Sequence, residues 1–138
     1  MDNENIADNE STTDIPVEEP NPNSILTTIK KLLGITEDYK HFDLDLTIHI
    51  NSVFSILNQL GVGPTEGFSI TGAEEEWSDF VPDAQIKLIE MLKSYVYLKV
   101  RLLFDPPMNS TVTESINKLT SELESRLIYA VDPGPDNT

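Results

Sequence analysis

The side chains best suited to acid–base or metal chemistry in this sequence are two histidines and one nearby carboxylate. Asp45 precedes His49 by four residues, a spacing that places both on one face of a helix, while His41 lies outside this pair. A zinc site needs further ligands at defined spacing, and the sequence has no HExxH or comparable motif. We therefore interpret His49 as a partly exposed partner of Asp45, with catalysis or metal binding by the pair as the alternative.

Other chemistry lacks a suitable set of residues. The run Glu74–Glu76 does not have the spacing of a calcium-binding loop, and a solvated turn explains it. The chain has no cysteine, no serine in a nucleophile motif, and no glycine-rich loop followed by a phosphate-binding lysine. The sequence predicts a protein that is not an enzyme and that uses no metal or cofactor.

The elements that must position these residues are predicted to be helices. The segment from Asp83 to Pro107 is the longest apolar run, has no internal glycine or proline, and ends at a proline pair. Amphipathic patterns predict three further helices, which run from Ser24 to Gly34, from about Asp43 to Gly61, and over 108–131. The predicted fold class is mainly α, a four-helix arrangement around a long central helix.

Residues 61–82 differ from the rest because glycines punctuate two short runs. The runs Phe68–Thr71 and Trp77–Val81 predict a loop with an inserted β-hairpin whose tip is Gly72–Glu76. A two-stranded hairpin is marginal alone, so it should lean on its own domain or pair with a neighbouring subunit. Its aromatic residues could either pin the loop to the core or anchor a contact between subunits; they are Phe68, Trp77 and Phe80.

Charge divides the chain into an arm, a domain and a tail. Residues 1–23 hold seven acids and no base, which predicts an extended or disordered arm, followed by a helical domain over 24–132 and a tail over 133–138. The net charge of −15 argues against a surface that grips nucleic acid. Charges within the central helix exclude a membrane span, and the first residues lack a signal-peptide pattern, so we expect a soluble intracellular chain.

Two motifs carry a resemblance to a known family. They are Lys31–Thr36, KLLGIT, near the start of the domain, and Leu102–Pro107, LLFDPP, between the last two helices. Together with the order of the helices, they resemble the small head–tail connector (adaptor) proteins of tailed bacteriophages over about Ser24 to Asp132. The acidic arm departs from the pattern of that family, in which the first helix starts near the N-terminus.

The resemblance implies a structural virion protein that forms a homo-oligomeric ring, expected to be a dodecamer. The ring would dock on the portal protein, extend the DNA channel, let DNA pass without sequence-specific binding, and join the head to a neck or tail protein. It implies assembly in the host cytoplasm and a final place at the head–tail interface of the virion. The last helix would supply the portal or subunit contact, through Leu119, Leu123, Leu127 and Tyr129.

A different class of function also fits the residues. A small helical interaction module, such as a regulator, could use its acidic arm to bind a basic partner. The two hypotheses differ in their assembly, because only the connector is expected to form a ring on a portal.

Overall fold

The computed structural model describes residues 21–131, and these form five helices that confirm the mainly α fold class. Most of the predicted arm and the whole predicted tail lie outside the described residues. No helix within 21–131 is long and apolar enough to cross a membrane. The helices are α1 (Ile25–Leu32), α2 (Asp43–Gln59), α3 (Trp77–Phe80), α4 (Ile86–Phe104) and α5 (Ser110–Val131).

Helix α1 begins and ends where its local sequence predicts. The hydroxyl of Ser24 accepts a hydrogen bond from the amide of Thr27 at 3.2 Å, which satisfies one of the free amides of the first turn. Gly34 adopts a φ of 83°, and the amide of Ile35 donates to the carbonyl of Lys30 at 2.9 Å. This left-handed residue and its hydrogen bond form a Schellman motif, which satisfies carbonyls at the end of the helix.

Lys30 is a buried lysine that fixes the connection between α1 and α2. Its Nζ donates to the carbonyls of Glu37 at 3.0 Å and Tyr39 at 2.7 Å. It also lies 2.8 Å from Oδ1 of Asp43, which accepts no well-formed hydrogen bond, so this pair is an ionic contact. Three oxygens therefore surround the buried ammonium group, and they offset the cost of removing its charge from water.

Helix α4 is the centre of the core, as its apolar pattern predicts. It packs chiefly against α2 and α5, and it also contacts α1. Its most deeply buried residues come from positions that share one side of the helix: Leu92, Tyr95, Val96 and Val100. The exposed residues Ile86 and Leu103 show that its ends are less covered than its middle.

One boundary of α4 differs from the prediction. The helix begins at Ile86, after Gln85, because Ala84 donates to the carbonyl of Val81 in a turn that still includes Asp83. It ends at Phe104 as expected, since Asp105 leaves the helical conformation, with φ −146° and ψ 68°, and precedes a proline.

The predicted β-hairpin is wrong. No strand forms within the part of the chain that the structure describes, and the only pairing there is an isolated bridge between Ser24 and Glu76. The extended segment around Ile70 is instead held by a side chain of α2. Asn51 donates to the carbonyl of Ile70 at 3.0 Å and accepts from its amide at 2.7 Å, and Asn58 donates to the carbonyl of Pro64 at 3.0 Å. These amides replace the partner strand that the hairpin would need.

The second predicted strand is a helical turn, α3. Glu76 and Asp79 form a reciprocal capping box, in which each carboxylate accepts from the backbone amide of the other residue. The amide of Trp77 donates to the carbonyl of Asn23, so this turn is also tied to the start of α1.

The packing of the loop against α3 gives a test of the fold. Gly63 has a φ of 91°, and an added Cβ would collide with the ring of Phe80. We expect Gly63→Ala to lower the free energy of unfolding, measured in urea, by about 3 kcal/mol through backbone strain and overpacking. Gly67→Ala is the matched control, because Gly67 has a φ of 95° and open space around it, and it should cost only about 1 kcal/mol. Equal losses for the two variants would contradict this packing.

Candidate interaction surfaces

The aromatic residues proposed for a subunit contact lie mostly inside the subunit. Trp77 and Phe80 are buried, and Phe68 is half-buried. The rings of Phe68 and Phe80 lie 5.3 Å and 4.7 Å from the ring of Phe54 on α2, and Nε1 of Trp77 donates to the hydroxyl of Thr28 at 3.1 Å. No hairpin forms at these residues, whose aromatic side chains pack in the core between the loop and α2. Their role in a contact between subunits stays a prediction.

Two carboxylates of the run Glu74–Glu76 form hydrogen bonds that stabilise the loop and the helix that follows it. Glu75 accepts hydrogen bonds from the amide and hydroxyl of Thr71 at 3.0 Å and 2.8 Å. Partial burial acts to raise the pKa of Glu75, but hydrogen bonds from Thr71 and Gly72 outweigh it and lower this pKa below its ordinary value. Since Glu76 caps α3, two of the three carboxylates have structural partners, which corrects the expectation of a merely solvated turn.

The histidines do not form a site with Asp45. The ring of His49 packs edge-on against Phe104 at 6.4 Å, and the ring of His41 packs against Phe42 at 5.0 Å. Within 21–131, Asp45 forms no hydrogen bond or salt bridge with His49, and no group of three metal-ligating side chains comes together. The expected Asp45–His49 pair is therefore wrong, and the imidazole of His49 packs against Phe104 instead.

Helix α5 divides the four residues proposed for the portal contact into two pairs. Leu123 and Leu127 are buried against α4, and they hold the helix in place. Leu119 is 45% exposed and Tyr129 is 68% exposed. Only the second pair is free to contact another protein while α5 keeps its packing. Further exposed apolar residues on this helix are Val112, Ile128 and Val131.

A hydrogen bond between Tyr95 and Glu124 ties α5 to α4. The Tyr95 hydroxyl donates to the carboxylate of Glu124 at 2.6 Å. Burial of the phenol, followed by the hydrogen bond and the negative charge of Glu124, raises the pKa of Tyr95 well above its ordinary value. The link fixes the position of α5 along α4, and thereby the position of its exposed face.

A second group of exposed apolar side chains, which the sequence analysis missed, belongs to the first turns of α2, the end of α4 and the turn that follows α4. The rings of Phe42 and Phe104 meet there at 5.1 Å. We call this surface the end patch and define it by four exposed side chains: Leu44, Ile48, Leu103 and Met108. The spacing of Leu44 and Ile48, four residues apart and opposite the buried stripe of α2, is a signal that could have revealed it.

The model of a protein family described as "Phage connector protein" matches residues 25–134, a range that includes all five helices. No curated protein and no solved structure matches the chain.

The link between α4 and α5 can be measured at neutral pH. We expect Tyr95→Phe to lower the free energy of unfolding by about 1–3 kcal/mol, because it leaves the half-buried Glu124 carboxylate without its donor. Tyr97→Phe is the control: Tyr97 lies on the same helix, and its hydroxyl makes no hydrogen bond within the described residues, so this variant should stay close to wild type.

The contribution of Tyr95 to the free energy of unfolding should depend on pH. In the unfolded chain the phenol ionises near its ordinary pKa of about 10, whereas folding keeps Tyr95 protonated to higher pH. Above about pH 10 the folded state therefore binds more protons than the unfolded state. The stabilisation that protonated Tyr95 gives the folded state is lost as the pH rises further. The stability gap between wild type and Tyr95→Phe should stay level between about pH 8 and pH 9 and should narrow between about pH 10 and pH 11. A constant gap over this range would contradict the assignment.

Proposed function

Because the chain belongs to the phage connector protein family, we propose that it is a structural head–tail connector subunit that forms a ring on the portal of a tailed phage. The ring, taken to be a dodecamer, extends the DNA channel and joins the head to the next neck or tail protein. The observation that carries this proposal is the family match over 25–134, which covers the whole helical domain. A family of structural proteins also favours a function without catalysis.

Two separate exposed surfaces suit a connector subunit. Such a subunit contacts both a neighbour in the ring and the portal, and these contacts need different parts of its surface. The end patch and the exposed face of α5 are both apolar and belong to different elements, and exposed apolar surfaces of this kind mark interaction sites. In the proposal, the end patch contacts the adjacent subunit, and Leu119 and Tyr129 contact the portal.

The negative charge of the chain supports passage of DNA rather than binding. Clusters of basic residues bind DNA because they neutralise its phosphates and release the counterions of the DNA. The net charge of −15 instead repels the phosphates. DNA would therefore cross the channel without sequence-specific contacts. The proposed location is the head–tail interface of the virion, after assembly in the host cytoplasm.

Mutation of the exposed face of α5 tests the proposed portal contact. We expect Leu119→Glu to weaken co-sedimentation with the cognate portal about tenfold or more, because it buries an unpaired charge in an apolar contact. Since Leu119 is 45% exposed, the thermal midpoint of the free protein should change little.

The matched control for this contact is Ser121→Glu, which adds the same charge to an exposed position on another side of α5. It should bind the portal like wild type. Unchanged binding by a folded Leu119→Glu protein would contradict the assigned face. A wild-type protein that never binds the portal would favour the helical interaction module instead.

A further inference from the structure

Lys30 contacts the connection between α1 and α2 at several points. Its carbonyl accepts a hydrogen bond from the amide of Ile35 at 2.9 Å, near the start of the connection. Its Nζ donates to the carbonyls of Glu37 at 3.0 Å and Tyr39 at 2.7 Å, in the middle of the connection. The same Nζ lies 2.8 Å from Oδ1 of Asp43, the first residue of α2. One residue of α1 therefore holds the connection along most of its length.

The side chain of Lys30 is buried, so these contacts are costly to break. Lys30 is 2% exposed, whereas most side chains of the connection itself are exposed. An ammonium group that lost its oxygen partners would stay out of water without compensation for its charge. Lys30 therefore opposes any movement of the connection away from α1.

The first turn of α2 depends on this contact more than a capped first turn would. Phe42, which precedes the helix, forms no side-chain hydrogen bond with the free amides of that turn. The ion pair of Asp43 with Lys30 instead ties the turn to α1. Leu44 follows Asp43 directly and Ile48 lies about one turn later, and both belong to the end patch. The contact with Lys30 thus acts on the part of α2 that carries the end patch.

Aromatic rings link the same connection to the end of α4. The ring of Tyr39, whose carbonyl accepts from Lys30, lies 5.7 Å from the ring of Phe42. The ring of Phe42 in turn lies 5.1 Å from that of Phe104, and Leu103 of the end patch precedes Phe104 in the chain. The connection that Lys30 holds therefore leads to both helices that contribute to the end patch.

We propose that Lys30 is a positioning residue for the end patch. Through Asp43 and the carbonyl of Tyr39, its buried charge keeps Leu44 at a defined place in the subunit. Lys30 is itself too buried to contact another subunit, so it acts only through these residues. Its importance for assembly rests on the proposed function, in which the end patch contacts the adjacent subunit. The position of Leu44 is a property of the single subunit and can be measured without a ring.

Distances between pairs of nitroxide labels test this role in the full chain, because the sequence has no cysteine of its own. One label at Ser121→Cys on α5 serves as the reference for two positions on α2. Leu44→Cys places the second label in the first turn of α2, and Ser52→Cys places it in the middle of the same helix. With the native residues at all other positions, both pairs should give a narrow distribution of distances.

Two variants remove the contact from opposite sides, and a third is the matched control. We expect Lys30→Met and Asp43→Ala to widen the distances measured from position 44, while those measured from position 52 stay narrow. Asp45→Ala removes an acid of the same helical turn that forms no salt bridge within the described residues, and it should widen neither distribution. If Lys30→Met fails to fold, Asp43→Ala decides the outcome, since it leaves both carbonyl contacts of Lys30 in place. Unchanged distances from position 44, or equal widening from both positions, would overturn the proposal.

Ring formation on the cognate portal tests the consequence for assembly, in chains without engineered cysteines. A loosely held surface must be ordered when it binds, so Asp43→Ala should raise the protein concentration needed for ring formation about tenfold, and Asp45→Ala should leave it unchanged. Equal concentrations for Asp43→Ala and wild type would overturn the proposed link to assembly. A wild-type protein that forms no ring would instead refute the proposed function, while the label distances would still decide whether Lys30 positions the end patch.

Discussion

The packing of α4 against α1, α2 and α5 is the constraint on which the rest of the described structure depends. Its residues Leu92, Val96 and Val100 are fully buried, and each such side chain contributes about 1.5–3 kcal/mol through removal of apolar area from water. Helix α5 packs chiefly on α4, through its own buried stripe and the bond between Tyr95 and Glu124. Anything that shifts α4 therefore moves α5 relative to α1 and α2. The exposed face of α5 has a defined position only because α5 is packed on α4 in this way.

Local signals in the sequence predict the helices well, because short-range chemistry determines helix ends. The hydroxyl of Ser24, the left-handed Gly34 and the proline after Asp105 act on neighbouring residues only, so they can be read without the fold. The prediction of a β-hairpin was wrong for the opposite reason, because the contacts that hold this segment are long-range. The backbone of Ile70 forms hydrogen bonds with the side chain of Asn51, nineteen residues earlier, and no local sequence pattern predicts such a contact. The capping box of α3 was not predicted either, because Glu76 and Asp79 do not match the usual pattern of Ser or Thr followed three residues later by Glu or Gln.

The candidate surfaces were predicted only in part, because periodicity identifies apolar stripes but does not say what covers them. Leu123 and Leu119 belong to the same stripe of α5, yet one is buried and the other is 45% exposed. The division follows from the position of α4, which only the fold reveals. Burial likewise assigns Trp77 and Phe80 to the core, and Leu44 and Ile48 to the end patch. The contacts proposed for the connector therefore rely on the exposed residues, while the buried residues hold those surfaces in place.

The most direct test of the connector proposal is cryo-electron microscopy of the protein mixed with its cognate portal, beside the protein alone. The account predicts a ring of this subunit stacked coaxially on the portal, with α5 at the contact and the end patch between neighbours. Bare portals beside free subunits, at concentrations well above micromolar, would contradict it. A ring that meets the portal through a different helix would keep the connector role and refute the assigned surface.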